Sequence, residues 1–446
     1  MFDTVNSSRA LMGMALGFHI VFATIGIGLP VLLFAAEGLF LRTGKEMYQL
    51  MAKRWAVVAA VLFAVGAVSG TFLEFSFGLL WPNWMDFAGG VIGLPFFLEG
   101  FAFFTEAIFL GLYIYGWNKF NPTAHWLMTI PIVIAALASG FFIISANGWM
   151  NQPEGYEIVN GQVANVDPVA AMFNDALPYE FIHGALAAYV AMGLAVAGYY
   201  AFAMLRGDRS DYNKMAVVLG MGLVVIFAPL QVVTGDLSAR FLAHDQPEKF
   251  AAMEGQFETV EGMPLRIGGI PFPDDNETRF AIEIPKLGSF LAFEDFDAEV
   301  RGLNAFPDDE VPSVFLTHFP FQIMVGLGFL FVGVAGWFWG MAAWTRRIDP
   351  GRLLLLALAG VGALGFVAIE MGWFVTEFGR QPWVIYRVMR TESGATPREG
   401  IWVLLLLFSL AYIALTIGLA GVLSWQQRGR TKTPREDESK QGIFGA

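Results

Sequence analysis

Glu99 and Glu106 stand seven residues apart in a strongly apolar stretch. Seven residues return to one helix face after about two turns, roughly 10 Å along the axis. Two carboxylates stacked in this way can pass a proton along a helix, or each can pair with a hydroxyl or amide and fix helix packing. His19 and His183 lie in the outer halves of their apolar stretches, and Met324 enters another to a similar depth. A His and a Met from two helices at one level can supply both axial positions of a low-spin haem. Singly, each has a plainer reading. His183 and His19 can be polar contacts to a neighbouring helix, and Met324, among 19 methionines, can be packing. Trp373 and Glu377 are one turn apart, with Arg380 a further turn on. That trio reads equally as an interfacial ion pair or as a weak iron ligand whose Arg380 engages haem propionates. Glu74 and Glu370 are weaker candidates of the same kind, while His125 and His318 fall at span ends and read as interfacial.

These residues need a bilayer around them. Of 446 residues, 56% are hydrophobic and 15% charged, too apolar for a soluble chain of this length. Apolar runs fall near residues 10–40, 54–80, 90–117, 123–147, 179–205, 213–236, 317–345, 351–376 and 400–425. The expectation is an all-α polytopic membrane protein of about nine transmembrane helices. The first run is longer than the core of a cleaved leader and reads as a retained span. With no cysteine, disulfides and thiolate-held metals or clusters are excluded. The net charge of −12 comes from acids in extramembrane loops, which excludes nucleic acid as a partner.

Basic residues set a direction. Arg42, Lys45, Lys53, Arg54, Lys119, Arg206, Arg209, Lys214, Arg346, Arg347 and Arg352 all fall on the side of the basic C-terminal tail, whereas loops 81–89 and 148–178 carry no Lys or Arg. The positive-inside rule then puts the C-terminus in the cytoplasm and the N-terminus outside. The organisation expected is six spans over 1–236, an outer insertion over 237–316 forming a partly folded lid, three spans over 317–425 and a cytoplasmic tail over 426–446. No internal repeat is visible, which weakens an inverted-repeat transporter.

The chain resembles subunit I of the cytochrome bd quinol oxidases. The resemblance rests on Gly-Trp-Phe-Val-Thr-Glu-Phe-Gly-Arg-Gln-Pro-Trp at 372–383, Ala-Asn-Gly-Trp-Met at 146–150, Glu-Gly-Phe-Ala-Phe-Phe-Thr-Glu at 99–106, Gln-Ile-Met-Val-Gly-Leu-Gly at 322–328, and Ser8, Arg9 and His19 near the start. It implies a low-spin haem b on His183 and Met324, and two high-spin haems using His19 and Glu377. One of these is haem b; the other is haem d or a third haem b. Arg9 is carried along as a cofactor-binding residue. Gln-Pro-Glu-Lys-Phe-Ala-Ala-Met-Glu at 246–254 resembles the family's Q-loop segment, which places Lys249 and Glu254 in the quinol region; by composition alone they read as a solvated salt bridge. The short insertion resembles the short-loop, cyanide-insensitive-like branch. One departure is Gln322, where better-studied members carry Arg two residues before the methionine ligand, so a positive charge is missing beside the low-spin haem.

The resemblance further implies quinol oxidation at the outer face and dioxygen reduction to water with cytoplasmic protons, charge being separated without a pump. Glu106 then Glu99 would relay those protons, with Ser139 and Asn147 as hydrogen-bonding members, toward the region of Trp373, Glu377 and Arg380. A second polytopic subunit as heterodimer partner, a small single-span accessory subunit and the bacterial cytoplasmic membrane as location belong to the same expectation. Two competing classes remain. A secondary transporter or channel would use the glutamates and leave His183 and Met324 idle; a non-catalytic haem b anchor would keep that pair and make His19 and Glu377 structural.

Overall fold

The computed structural model describes residues 3–430. The part of the expected tail from residue 431 onward lies outside the described residues. Among the described residues, nine helices are long and apolar enough to cross a membrane: Thr4–Thr43, Glu46–Leu80, Pro82–Gly116, Pro122–Asn151, Leu177–Leu205, Asp211–Asp245, Val314–Thr345, Arg352–Gly379 and Ile401–Trp425. They are numbered below as spans one to nine. Each covers its expected apolar run to within one residue at either end, and several extend beyond it. Span six continues to Asp245, about two turns past the apolar run, because the helix leaves the expected bilayer core without a breaker until Pro247.

Small residues decide which spans touch. A Cβ on Gly193 would lie 2.6 Å from the Gly220 carbonyl oxygen, and one on Gly198 would lie 2.6 Å from Gly362 Cα. Gly365 meets Ala191 as closely, at 2.5 Å. Backbones of spans five, six and eight therefore run in direct contact, where van der Waals packing replaces the hydrophobic effect that lipid cannot supply. Span five is the axis of the bundle, with 56% of its most apolar window buried, against 6% for span nine. Span nine packs on spans one and two, with Tyr412 against Phe18 at a ring separation of 4.5 Å.

The long insertion is a folded cap. Helix Pro247–Glu254 follows span six and ends at Gly255, whose φ of 61° turns the chain. Strands Leu265–Ile267 and Ile282–Ile284 pair antiparallel with Leu265 opposite Ile284, and Ile270–Phe272 pairs with Glu277–Arg279. Val260–Glu261 closes on Glu299–Val300, and helix Leu287–Phe293 fills the space between. Phe250, Met263, Ala292 and Val300 form its small core, and Ala251, Ala252, Phe257 and Leu303 pack with Val314 at the start of span seven.

Close backbone packing makes a sharp stability test. Gly198→Ala pushes a methyl into span eight and should cost about 1–3 kcal/mol, the usual range for overpacking. Gly336→Ala, whose Cβ meets nothing within 4 Å, should leave the thermal midpoint of the purified protein unchanged.

Candidate functional site

Span five brings His183 one turn below its start, and span six supplies the contacts to it. His183 Nδ1 lies 3.2 Å from Thr234 Oγ1, and its Nε2 accepts from the Gln231 side-chain amide at 2.9 Å. His19 on span one places Nδ1 3.0 Å from Ser69 Oγ of span two. Met324 of span seven turns its sulfur toward span eight, where a Cβ on Gly372 would stand 3.1 Å from it.

Span eight ends in the densest polar cluster. Glu377 accepts from Asn147 Nδ2 at 2.8 Å on one oxygen and from Arg380 Nη2 at 2.6 Å on the other. Arg380 is buried, and its Nε and Nη1 have no protein partner. Arg9 donates to Gln381 Oε1 at 2.9 Å and leaves its own Nε unpartnered. Asn147, expected as a hydrogen-bonding member of the relay toward Glu377, has its amide on Glu377 itself. Ser139 does sit on the relay, donating to Glu99 Oε1 at 3.0 Å. Glu106 is 7% exposed and faces Gly26 of span one.

The cap closes the insertion end. Lys249 is buried, with its methylenes against Gly379, where a Cβ would lie 2.9 Å from Cε. Burial pushes its ammonium down to about 8, with Glu180 pulling the other way. Glu254 is buried with Oε2 unpartnered, and burial raises its carboxyl to about 7 against the opposing field of Arg266. These two are therefore buried groups on a cavity wall, where composition alone suggested a solvated salt bridge.

One cavity of about 2090 Å³ joins all these groups. His19, His183, Met324, Glu377, Arg9, Arg380, Trp373, Glu99, Glu106, Ser139, Asn147, Lys249 and Glu254 all line it, as do Glu74 and Glu370. Three other polar residues lie away from its wall. Gln322 clamps the cap, accepting from Gly268 N–H at 3.0 Å and donating to the Arg266 carbonyl at 3.2 Å. His318 is fully buried rather than interfacial, its Nδ1 donating to the Met253 carbonyl at 2.7 Å. His125 is also buried, with Nδ1 2.7 Å from Glu37 and Nε2 2.8 Å from the Tyr113 carbonyl. Both were read as interfacial because the partners that bury them are remote in sequence.

Sequence reasoning missed Glu180, which lines the cavity and accepts from Asn151 Nδ2 at 2.8 Å. Its place in the first turn of span five, three residues before His183, was the available signal. Ser69, Thr234 and Gln231 were missed as well, since a hydroxyl or amide in a span is common and only a neighbouring helix gives it meaning. Among the described residues, no group of three or more His, Asp or Glu side chains gathers to cage a bare metal ion. The donors are instead distributed singly along the cavity wall.

Comparison with known proteins agrees with this architecture. Residues 7–430 match the family described as cytochrome bd terminal oxidase subunit I. A Bacillus subtilis (strain 168) protein named as a cytochrome bd menaquinol oxidase subunit I is 37% identical over 96% of this chain and 97% of its own length. The cytochrome bd ubiquinol oxidase subunit 1 of the same organism is 32% identical over 91% of this chain and 88% of its own. A solved bd oxidase structure from Geobacillus thermodenitrificans superposes with a TM-score of 0.89 at 41% identity, covering 96% of this chain and 99% of that one. With a match that runs almost end to end in sequence and in fold, this polytopic chain belongs to the cytochrome bd terminal oxidase subunit I family.

Proposed function

We propose that this chain is the catalytic, haem-carrying subunit of a terminal oxidase that takes electrons from quinol and reduces dioxygen to water. The observation that carries the reading is the single cavity lined by every candidate ligand and every candidate proton carrier. The residues fit porphyrin iron. A macrocycle supplies four ligands itself and asks the protein for one or two, which matches donors placed singly rather than in cages. Glycines at 70, 235 and 372 leave room against His19, His183 and Met324. The unpartnered guanidinium nitrogens of Arg380 and Arg9 suit the propionate carboxylates of such a group.

In this reading His183 and Met324 hold a low-spin haem b, and His19 and Glu377 serve two high-spin haems, one of type b and the other d or b. The bound haems supply electron transfer and the oxygen chemistry. That His19 and Glu377 line the same cavity as His183 favours a catalytic subunit over a haem b anchor, and the family match removes the transporter.

The chain's own residues manage protons. Glu254, with one oxygen free toward the cavity, accepts a proton from a quinol hydroxyl, and Lys249 holds positive charge on the same cavity wall, near Glu180. The cap between spans six and seven, residues 246–313, shelters that site on the outer face. Glu106 and Glu99, with Ser139 bonded to Glu99, carry cytoplasmic protons toward Glu377. Arg380 and Asn147 hold Glu377 in place, and Trp373 lines the same wall. With quinol protons leaving outside and water's protons arriving from the cytoplasm, charge separates without a pump. A second polytopic subunit completes the heterodimer in the bacterial cytoplasmic membrane, and a single-span accessory subunit is compatible with the family.

A dithionite-reduced absorption spectrum of the oxidase tests the assignment: His183→Ala should abolish the low-spin b band and leave the other bands, and an unchanged spectrum would refute ligation. Glu99→Gln should slow oxygen consumption on the order of 100-fold, the usual weight of a positioned proton carrier; unchanged turnover would take Glu99 off the path. Because Glu254 is raised to about 7, it is a base only above that pH. Quinol oxidation should therefore fall as pH drops through about 7, and the slope should vanish in Glu254→Gln, as read from steady-state rates across pH 5.5–8.5.

A further inference from the structure

The two histidines are held by the same device, built twice on different helices. On span two, Ser69 Oγ lies 3.0 Å from His19 Nδ1 and donates its own proton to the Gly66 carbonyl at 3.0 Å. On span six, Thr234 Oγ1 lies 3.2 Å from His183 Nδ1 and donates to the Gln231 carbonyl at 3.2 Å. In each case the hydroxyl has one hydrogen and two neighbours. Only one arrangement satisfies both contacts: the hydroxyl proton goes to the carbonyl three residues back, and the imidazole Nδ1–H donates to the hydroxyl oxygen. Nδ1 is then the protonated nitrogen and Nε2 carries the lone pair. The Gln231 amide, donating to His183 Nε2 at 2.9 Å, agrees with that assignment.

The residue after each hydroxyl is glycine, and the ring rests on it. A Cβ on Gly70 would stand 3.0 Å from His19 Cε1, and one on Gly235 would stand 3.2 Å from His183 Cε1. The Nδ1–Cε1 edge of each imidazole is thus held by a hydroxyl and a bare Cα, and Nε2 is the nitrogen that no hydroxyl engages. Both rings line the cavity, and both supporting hydroxyls come from a helix other than the histidine's own.

The geometry points to Ser69-Gly70 and Thr234-Gly235 as positioning pairs that fix the tautomer of His19 and His183, so that Nε2 is the atom each offers to haem iron, at His183 in place of the Gln231 amide. This rests on the ligation proposed above. A hydrogen bond from the distal ring N–H to an acceptor makes the imidazole a stronger donor and stabilises the oxidised metal. Removing the acceptor should weaken the bond to iron and move the midpoint potential upward.

The test uses the intact oxidase purified with its companion subunit. Thr234→Val should speed haem loss from the low-spin site by roughly tenfold or more, in line with the usual cost of losing such a partner, and should raise the midpoint of that haem alone. Ser69→Ala should do the same at the high-spin site served by His19 and leave the low-spin midpoint in place. Thr234→Ser and Ser69→Thr, which keep the hydroxyl, should restore wild-type values. His19→Ala and His183→Ala run alongside. If those two retain all haem, the ligation reading itself fails. If they lose their bands while Thr234→Val and Ser69→Ala match wild type in potential and retention, ligation stands and the positioning role is overturned. A shift of every haem together, unrescued by the hydroxyl variants, overturns it too, since it reports general loosening of the bundle.

Discussion

Inside hydrocarbon a polar side chain has no solvent to fall back on, and the arrangement of this bundle follows from that constraint. Most of the buried polar groups singled out above close on protein partners or face the common cavity. Glu37, His125 and Tyr113 show the first outcome. Tyr113 donates to one Glu37 oxygen at 2.8 Å, His125 meets the other, and the second ring nitrogen of His125 meets a backbone carbonyl. Both nitrogens of that imidazole are engaged by protein partners, so neither is turned to the cavity. His19 and His183 differ in one respect: each has Nδ1 directed at a hydroxyl that can accept, which leaves Nε2 with the lone pair, met at His183 by the Gln231 amide.

Packing makes room for that second outcome. Spans five, six and eight meet backbone to backbone through Gly193, Gly220, Gly198 and Gly362. Contact this close at one level lets the same helices separate at another, where the cavity lies. Glycines 70, 235 and 372 then serve a different purpose, as places where an imidazole edge or a thioether comes against bare backbone. A stripe of larger residues would fill the space that the two imidazoles and the thioether face.

Hydropathy made the spans legible, because a run of apolar residues long enough to cross a bilayer has few other uses. Residue type made the cavity wall legible: His183, Met324 and the Glu99–Glu106 pair are costly to bury and drew attention for that reason. Their partners were not legible. Asn147 shares span four with Ser139, and only the rotation of that helix against spans three and eight decides that Ser139 reaches Glu99 while Asn147 reaches Glu377. Likewise His125 looked interfacial because Glu37, 88 positions away, gives no local sign of reaching it. The insertion has strands of only two or three residues, too short for periodicity to show, and its order comes from a small core and from contacts with span seven.

Position 322 shows how far a single departure from the family pattern can be read locally. Gln322 carries no charge two residues before Met324, and from the sequence that removes a cation from the neighbourhood. In the folded chain the Gln322 amide holds the strand that bears Arg266, whose guanidinium donates to Gln256 at 2.6 Å and to Glu283 at 3.0 Å. The field of Arg266 acts on Glu254, the buried carboxylate of the cap. A cation is thus brought to this region by the insertion rather than by the span. The consequence is structural: the strand Leu265–Ile267 that carries this charge is held to span seven through Gln322. Glu254 and the cation that tempers it therefore both belong to the insertion, and the electrostatics at that end of the cavity are a property of the cap rather than of the spans.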